Sequence, residues 1–245
     1  MIRTMRYMLP VAALLLASAS ADASNSKTPP GDPCGKGNGN PCGGNEGNGG
    51  SQGNSGKPSY GKPDPITIDL PTFQGRSAYV LQIGSGNEAT VHQTATHALS
   101  DIEQRGDDNI VSVTQQGGRA FVHAAQVGDE NKVVVAQAGS GVNGALIHQL
   151  GARNQITLTQ TAAGALYNGA VMTQAGIDNR MTLTQTGNDN RALLSQAGDS
   201  NAMTVSQTGS GNRLAWTQVG MNLPDLGIRQ TGGQAISITQ AGFGR

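Results

Sequence analysis

The sequence predicts an all-β protein: a β-solenoid, or cross-β stack, of strand-turn-strand coils with about 22 residues per coil, preceded by a disordered segment. Three observations predict it. Glutamine recurs mostly at steps of 11, the five residues ahead of each glutamine alternate apolar and polar, and each such run closes with a Gly-x-x-Asn segment. Composition agrees, because 3% aromatic residues and 36 glycines in 245 residues do not supply an ordinary globular core. Charge is balanced, with 16 basic and 16 acidic residues, so no nucleic-acid partner and no anionic membrane is indicated.

In chain order, residues 1–23 read as a secretory signal peptide. Arg3 and Arg6 give a positive start, Leu9 to Ala17 is apolar, and Ala21-Asp22-Ala23 is a small-x-small cleavage site. The mature chain is expected to begin at Ser24, and no later apolar stretch reaches the roughly 20 residues that span a bilayer, so no membrane insertion is expected. Residues 24–65, rich in Gly, Asn, Pro, Ser and Lys, hold almost nothing to bury and are expected to be disordered. Cys34 and Cys42 lie in this segment; a small disulfide between them suits an oxidising compartment better than a two-cysteine metal site without nearby His does. Ile66, Ile68 and Leu70 alternate with polar residues before Pro71, so 66–76 is expected to form one short strand or a cap.

Residues 77–245 form a repeat domain of 15 units. Its glutamines are Gln82, Gln93, Gln104, Gln115, Gln126, Gln137, Gln149, Gln160, Gln174, Gln185, Gln196, Gln207, Gln218, Gln230 and Gln240. Steps of 12, 14 and 10 interrupt the 11-residue spacing and read as changes of loop length. Gly follows two places after each Gln in 13 of the 15 units, Ala95 and Ala162 being the exceptions. Asn stands six places before it in ten units: Asn87, Asn109, Asn131, Asn143, Asn154, Asn168, Asn179, Asn190, Asn201 and Asn212.

The period inside each unit is two. Pairs such as Val111 and Val113, Ile156 and Leu158, or Leu214 and Trp216 alternate with Thr157 and Thr159, Thr182 and Thr184, or Thr204 and Ser206. Period two means strand, and it puts Asn, both apolar residues and Gln on one face. Segments such as Gly106-Asp107-Asp108-Asn109 are tight turns, because Gly, Asn and Asp tolerate positive φ and bond their own backbone. Two units make one flattened coil, and the 15 units make about seven and a half coils at about 4.8 Å each.

An inward amide left unbonded costs about 1 to 3 kcal/mol. Primary amides avoid that cost by stacking, since each carries donor and acceptor and identical residues in successive coils form a ladder. A ladder demands the same residue in register, which accounts for invariant Gln beside apolar positions that vary. Only Ala241-Gly242-Phe243-Gly244-Arg245 follows Gln240, too little for a cap, so an open end is expected to template another copy.

This repeat resembles the curlin family, the subunits of bacterial curli fibres, whose units read approximately S-x5-Q-x-G-x-x-N-x5-Q. Gln174-Ala175-Gly176-Ile177-Asp178-Asn179 through Gln185, and Gln207-Thr208-Gly209-Ser210-Gly211-Asn212 through Gln218, match the half-unit. The similarity covers roughly residues 77–245. The resemblance implies a secreted, self-associating amyloid subunit of an extracellular fibre at the bacterial cell surface, serving biofilm matrix and adhesion. It also implies a nucleating or major curlin partner, an outer-membrane export pore, and ladder roles for the Gln and Asn residues named above. The chain departs from the family where Arg76, Ala98 or Ala120 replaces the Ser that opens a unit, in its cysteine-bearing N-terminal region, and where Pro224 stands in the Asn place.

Two soluble-solenoid alternatives bind calcium or ice. Calcium solenoids need Asp at a fixed place in each nine-residue unit, whereas Asp here wanders. The Thr pairs invite an ice-binding face, but Val134, Ala136 and His92 break the array, and Thr is in any case a good strand residue. Charges such as Asp107, Asp129, Asp178 and Asp189 read as solvated turn residues or as gatekeepers against premature polymerisation. His92, His97, His123 and His148 stand at no ligand or triad spacing, so neither an enzyme nor a cofactor is expected. Trp216 occupies an inward apolar slot.

Overall fold

The computed structural model describes Ile66, Ile68 and residues 70–242, all within one compact unit, Lys57–Arg245. The expected signal peptide, the Gly/Asn/Pro-rich segment and both cysteines lie outside the described residues. Every described element is a strand, and every pairing is parallel.

One sheet of eight strands contains β1 (Arg76–Ile83), β3 (His97–Arg105), β5 (Arg119–Val127), β7 (Val142–Ala152), β9 (Tyr167–Ile177), β11 (Arg191–Ala197), β13 (Arg213–Val219) and β15 (Ala235–Ala241), in that order. The other sheet, of seven, contains β2 (Glu88–Gln93), β4 (Ile110–Gln115), β6 (Lys132–Ala138), β8 (Gln155–Ala162), β10 (Arg180–Asn188), β12 (Ala202–Ser210) and β14 (Ile228–Thr231). The chain alternates between the sheets at every turn, so two consecutive strands make one coil of a β-solenoid, and strand n pairs with strand n+2.

The register follows the repeat. Gln82 pairs with Gln104, Gln104 with Gln126, and Gln185 with both Gln160 and Gln207. Steps longer than 11 are absorbed between strands, in the turns joining β6 to β7, β8 to β9 and β13 to β14, which leaves pairing intact on either side. A one-residue slip would instead turn every inward side chain outward.

Inward positions form one continuous apolar core between the sheets, from Ile102 and Val111 through Ile147, Leu158, Met172 and Leu183 to Leu214 and Trp216. Each fully buried Val, Leu, Ile or Met contributes about 1.5 to 3 kcal/mol. Trp216 is completely buried, and its indole nitrogen donates to Gln240 Oε1 at 2.9 Å. At the N-terminal rim, by contrast, the inward Val80 is 48% exposed, since no coil lies beyond it among the described residues, and Tyr79, Leu81 and Ile83 are exposed on the outward face.

The stretch before β1 departs from expectation. Its described residues are not a strand, and they lie along the flank of the eight-stranded sheet instead of across the end of the stack. Arg191 donates to Ile66 O at 2.7 Å, Ile68 reaches Gly169, Leu70 reaches Gly144, and Phe73 packs on Phe121 at 6.5 Å beneath Arg119. Gly144 and Gly169 are neighbours in register and lack side chains, so they open a groove on the outer face that Ile68 and Leu70 fill. Burial of two aliphatic side chains there outweighs what an edge strand broken by Pro71 could gain.

Candidate functional site: the amide columns

Each repeat glutamine stands at the last inward position of its strand, and the register stacks them into two columns. Among odd-numbered strands, Nε2 donates to the Oε1 of the next coil from Gln82 to Gln104 (2.7 Å), Gln104 to Gln126 and Gln126 to Gln149 (2.9 Å each), and Gln149 to Gln174 (2.9 Å). The column continues from Gln174 to Gln196, Gln196 to Gln218 and Gln218 to Gln240, at 2.8 Å each. Among even-numbered strands the same bond runs from Gln93 to Gln115 (2.9 Å), Gln115 to Gln137 (3.0 Å), Gln137 to Gln160 and Gln160 to Gln185 (2.8 Å each), and Gln185 to Gln207 and Gln207 to Gln230 (2.7 Å each).

Every bond points the same way along the stack. In most units a second amide proton crosses to the opposite sheet, to the carbonyl 16 or 17 residues earlier, as in Gln137 to Phe121 O (3.0 Å), Gln185 to Gly169 O (3.0 Å) and Gln149 to Lys132 O (3.3 Å). Twelve of the fifteen glutamines are buried, and the three that are not, Gln82, Gln93 and Gln240, stand at the rims. Each buried glutamine except Gln230 thereby both donates and accepts along its column, which offsets the desolvation cost that otherwise keeps Gln out of cores.

The asparagines stack at the turns with opposite polarity, Nδ2 donating back to the Oδ1 of the preceding coil. One column runs Asn87, Asn109, Asn131, Asn154, Asn179, Asn201 at 3.0 to 3.1 Å. The other joins Asn168, Asn190 and Asn212 at 3.3 and 2.8 Å. Within a column each Oδ1 also takes the backbone N–H of the next Asn, as Asn179 takes that of Asn201 at 3.1 Å, and every Nδ2 but that of Asn212, which bonds Thr208 O, reaches a Gly carbonyl across the turn, as Asn179 reaches Gly198 at 2.6 Å.

Asn143 is aligned with this second column but does not join it. It pairs in register with Ala120 on one side and Asn168 on the other, and its Oδ1 has no partner. The Asn168 amide donates to Thr161 O and Gly187 O and does not reach the Asn143 Oδ1. Below Asn143 the column is replaced by a small apolar plug of Ala95, Ala98 and Ala120. An exception to the Gly rule and two exceptions to the Asn rule thus prove to be one packing unit. Ser100, which the sequence pattern does not single out, is also buried; it donates to Gln115 Oε1 (3.0 Å) and accepts from Gln93 (3.2 Å).

Turn geometry fixes the spacing. Gly151 has φ +110, and a Cβ built there would lie 2.1 Å from Gly176 O in the next coil; Gly198 has φ +111 and the same clash at 1.9 Å with Gly220 O. The residue before Asn is left-handed in these turns even when it is Asp108, Glu130, Arg153, Asp178, Asp189 or Ser200. Turn aspartates are engaged rather than simply solvated. Asp107 Oδ1 accepts from the backbone N–H of Ser85 (2.7 Å), Asp129 from that of Asp107 (2.9 Å) and Asp199 from that of Ile177 (2.8 Å). The Ser85 backbone bond, helped by the Ser85 hydroxyl, holds the Asp107 carboxyl below its ordinary 3.8, and the Arg153 guanidinium does the same for Asp178.

The coil repeat also brings together residues far apart in sequence. His123 Nδ1 lies 3.1 Å from Asp101, and its ring 5.5 Å from that of His148, so the sequence spacing of His concealed a carboxylate neighbour one coil away. Packing of its ring against the sheet and the adjacent His123 lower the pKa of His148. No group of three metal-ligating side chains occurs among the described residues. A shallow hollow of about 540 Å³ at the turns of Thr96, Gly117 and Gly139 carries no acid, base or thiol. Thr157, Thr182 and Thr204 stand in register on the outer face of the seven-stranded sheet, beside Thr159, Thr184 and Ser206.

The curlin-associated repeat matches this chain twice, over residues 106–139 and 187–220. The two stretches flank the region in which the lengthened turns before β7 and β9 distort the 11-residue spacing. No curated protein and no solved structure was found to match.

Proposed function

We propose that this chain, a curlin-type repeat protein and hence a structural subunit rather than an enzyme, is secreted and polymerises into extracellular amyloid fibres of the biofilm matrix, where it serves adhesion and aggregation. The observation that carries the reading is the pair of unbroken glutamine columns, which run from rim to rim with a single bond direction. A column of this kind ends on open Oε1 acceptors at one rim and, at the other, on Gln230 and Gln240 amides that have no further Gln above them and donate to backbone carbonyls instead, beside strand edges whose backbone groups seek partners. The fifteen Gln and ten Asn act in this reading as the assembly ladder. A nucleating or major curlin partner and an outer-membrane export pore follow from family resemblance, and the 77–245 repeat is the part that builds the fibre.

The test is to dilute the mature chain from denaturant and follow thioflavin fluorescence with and without preformed seeds. Seeding should abolish the lag, and fibre diffraction should give reflections near 4.8 Å and about 10 Å. A persistently soluble monomer with a sharp thermal transition would refute the proposal. The in-register Thr rows over three coils favour ice binding as a second reading, which a thermal-hysteresis assay on such a monomer would decide.

A further inference from the structure

The strand count sets how one copy meets the next. Among the described residues the eight-stranded sheet runs from β1 to β15 and the seven-stranded sheet from β2 to β14, so the stack begins and ends in the same sheet. Along the solenoid, strands occupy alternating places in the two sheets, and after β15 the next vacant place lies over β14. We propose that copies of this chain stack head to tail with each copy turned half a turn about the fibre axis, so that the incoming β1 pairs with β14 and the incoming β2 with β15. This rests on the fibre reading above and adds to it the faces and the orientation of the joint.

Bond direction sets the head-to-tail sense. At the C-terminal rim, with no further Gln to receive them, Gln230 Nε2 turns to Arg213 O (2.9 Å) and Gln234 O (3.2 Å) and Gln240 Nε2 to Pro224 O (3.1 Å), while the N-terminal rim presents the Oε1 acceptors of Gln82 and Gln93. Like rims would meet donor to donor or acceptor to acceptor. Opposite rims continue both columns, Gln230 donating to the incoming Gln82 and Gln240 to the incoming Gln93. In that register the incoming Val80, 48% exposed at its own rim, covers Ile228, and the incoming Ala89 and Val91 cover Ile236 and Ile238, which are only partly buried at theirs.

The odd count sets the half turn. Stacked without rotation, β1 would still pair acceptably with β15, aligning Gln82 on Gln240. However, β2 would then lie two strand spacings above β14, leaving the edge of Ile228–Thr231 unpaired and the column that ends at Gln230 interrupted inside the fibre. Buried backbone groups are almost always paired, so a missing strand at every joint is the arrangement that is disfavoured.

Outward residues beside the glutamines report the orientation. With the half turn, Leu81 of one copy sits beside Arg229 of the other; without it, Leu81 sits beside Thr239. In-register parallel neighbours are about 4.8 Å apart, within disulfide reach. The test places L81C/R229C and L81C/T239C separately in a C34S/C42S background, assembles fibres, oxidises them and dissolves them in denaturant without reductant. A ladder of covalent oligomers from L81C/R229C, with L81C/T239C remaining monomeric, is the expected result. Cross-linking through Thr239, or fibres in which neither pair cross-links, overturns the proposal. Absence of fibres from the C34S/C42S parent would instead refute the fibre reading beneath it. Helical reconstruction of unmodified fibres gives an independent check: a rise of about 36 Å per subunit with rotation near 180°, against about 38 Å with rotation near 0° for the unrotated stack.

Discussion

Truncating one buried ladder glutamine tests the physical basis of the fold. Gln185 lies in the middle of the stack, fully buried, accepting from Gln160 at 2.8 Å and donating to Gln207 at 2.7 Å and to Gly169 O at 3.0 Å. Gln185→Ala strands a proton of Gln160 and the Oε1 of Gln207 in a site closed to water. Two orphaned buried groups cost about 1 to 3 kcal/mol each. The void left by the missing amide adds about 1 kcal/mol. The loss is therefore about 3 to 7 kcal/mol, against about 5 to 15 kcal/mol for the stability of a whole domain. Thr184 is the adjacent residue on the outward face, and Thr184→Ala should cost about 0.5 kcal/mol or less.

The comparison is made by guanidinium unfolding of the monomer and by the thioflavin lag in assembly. Gln185→Ala should lower the unfolding midpoint and lengthen the lag far more than Thr184→Ala. Equal effects of the two substitutions on both measurements would refute the inward amide ladder as a source of stability, whatever the fibre looks like.

Three further outcomes follow from the geometry. Gly151→Ala sets a Cβ 2.1 Å from a backbone oxygen at φ +110, so it should cost about 3 kcal/mol or more and be detected as loss of cooperative unfolding; tolerance would mean that the coils are not closed at this turn. Asn143→Ala should cost about 1 kcal/mol, well below Asn179→Ala, because the Asn143 Oδ1 is already unpartnered while Asn179 is bonded on both sides; equal denaturant shifts would place Asn143 in the column after all. The carboxyls of Asp107 and Asp178 have depressed native pKa values, so their contribution is present above the ordinary carboxylate range and is lost as pH falls through the native values; carbon-detected titration should give midpoints under 3.8, moving up for Asp107 in Ser85→Ala and for Asp178 in Arg153→Ala.

Much of this is legible in the sequence because a solenoid converts periodicity directly into position. Gln every 11 residues with alternation between them fixes strand, facing and register at once, and the turns follow from where Gly and Asn fall. What sequence conceals is what lies across coils instead of along the chain. Ala95, Ala98 and Ala120 read as separate lapses in two motifs, although they touch. Asp107 and Asp129 read as solvated or protective charges, yet each, like Asp199, accepts from a backbone N–H one coil below. Ile66, Ile68 and Leu70 alternate as a strand does, and only the groove opened by Gly144 and Gly169, two neighbours 25 residues apart in sequence, accounts for their lying flat on the flank.

The lapses in the repeat separate the duties of its two amides. Every place where Asn is missing lies near a rim: Arg76, Ala98 and Ala120 in the first coils, Pro224 and Gln234 in the last. At the C-terminal side the Asn columns are closed by backbone, Asn201 Oδ1 accepting from Leu223 N at 3.0 Å and Asn212 Oδ1 from Gln234 N at 3.3 Å. The Gln columns never lapse and reach both rims. Asn therefore holds each turn to the next until a backbone donor ends the column, whereas Gln extends to the first and last strands, where Gln230 and Gln240 donate to backbone carbonyls and the Oε1 atoms of Gln82 and Gln93 face the N-terminal rim. The two columns also oppose one another in polarity, so the stack gains cooperative bonding in both without aligning all its amide dipoles along one axis. The terminal glutamines also serve the subunit itself, Gln82 donating to the buried Gln104 and Gln240 Oε1 accepting from Gln218 and from the indole of Trp216.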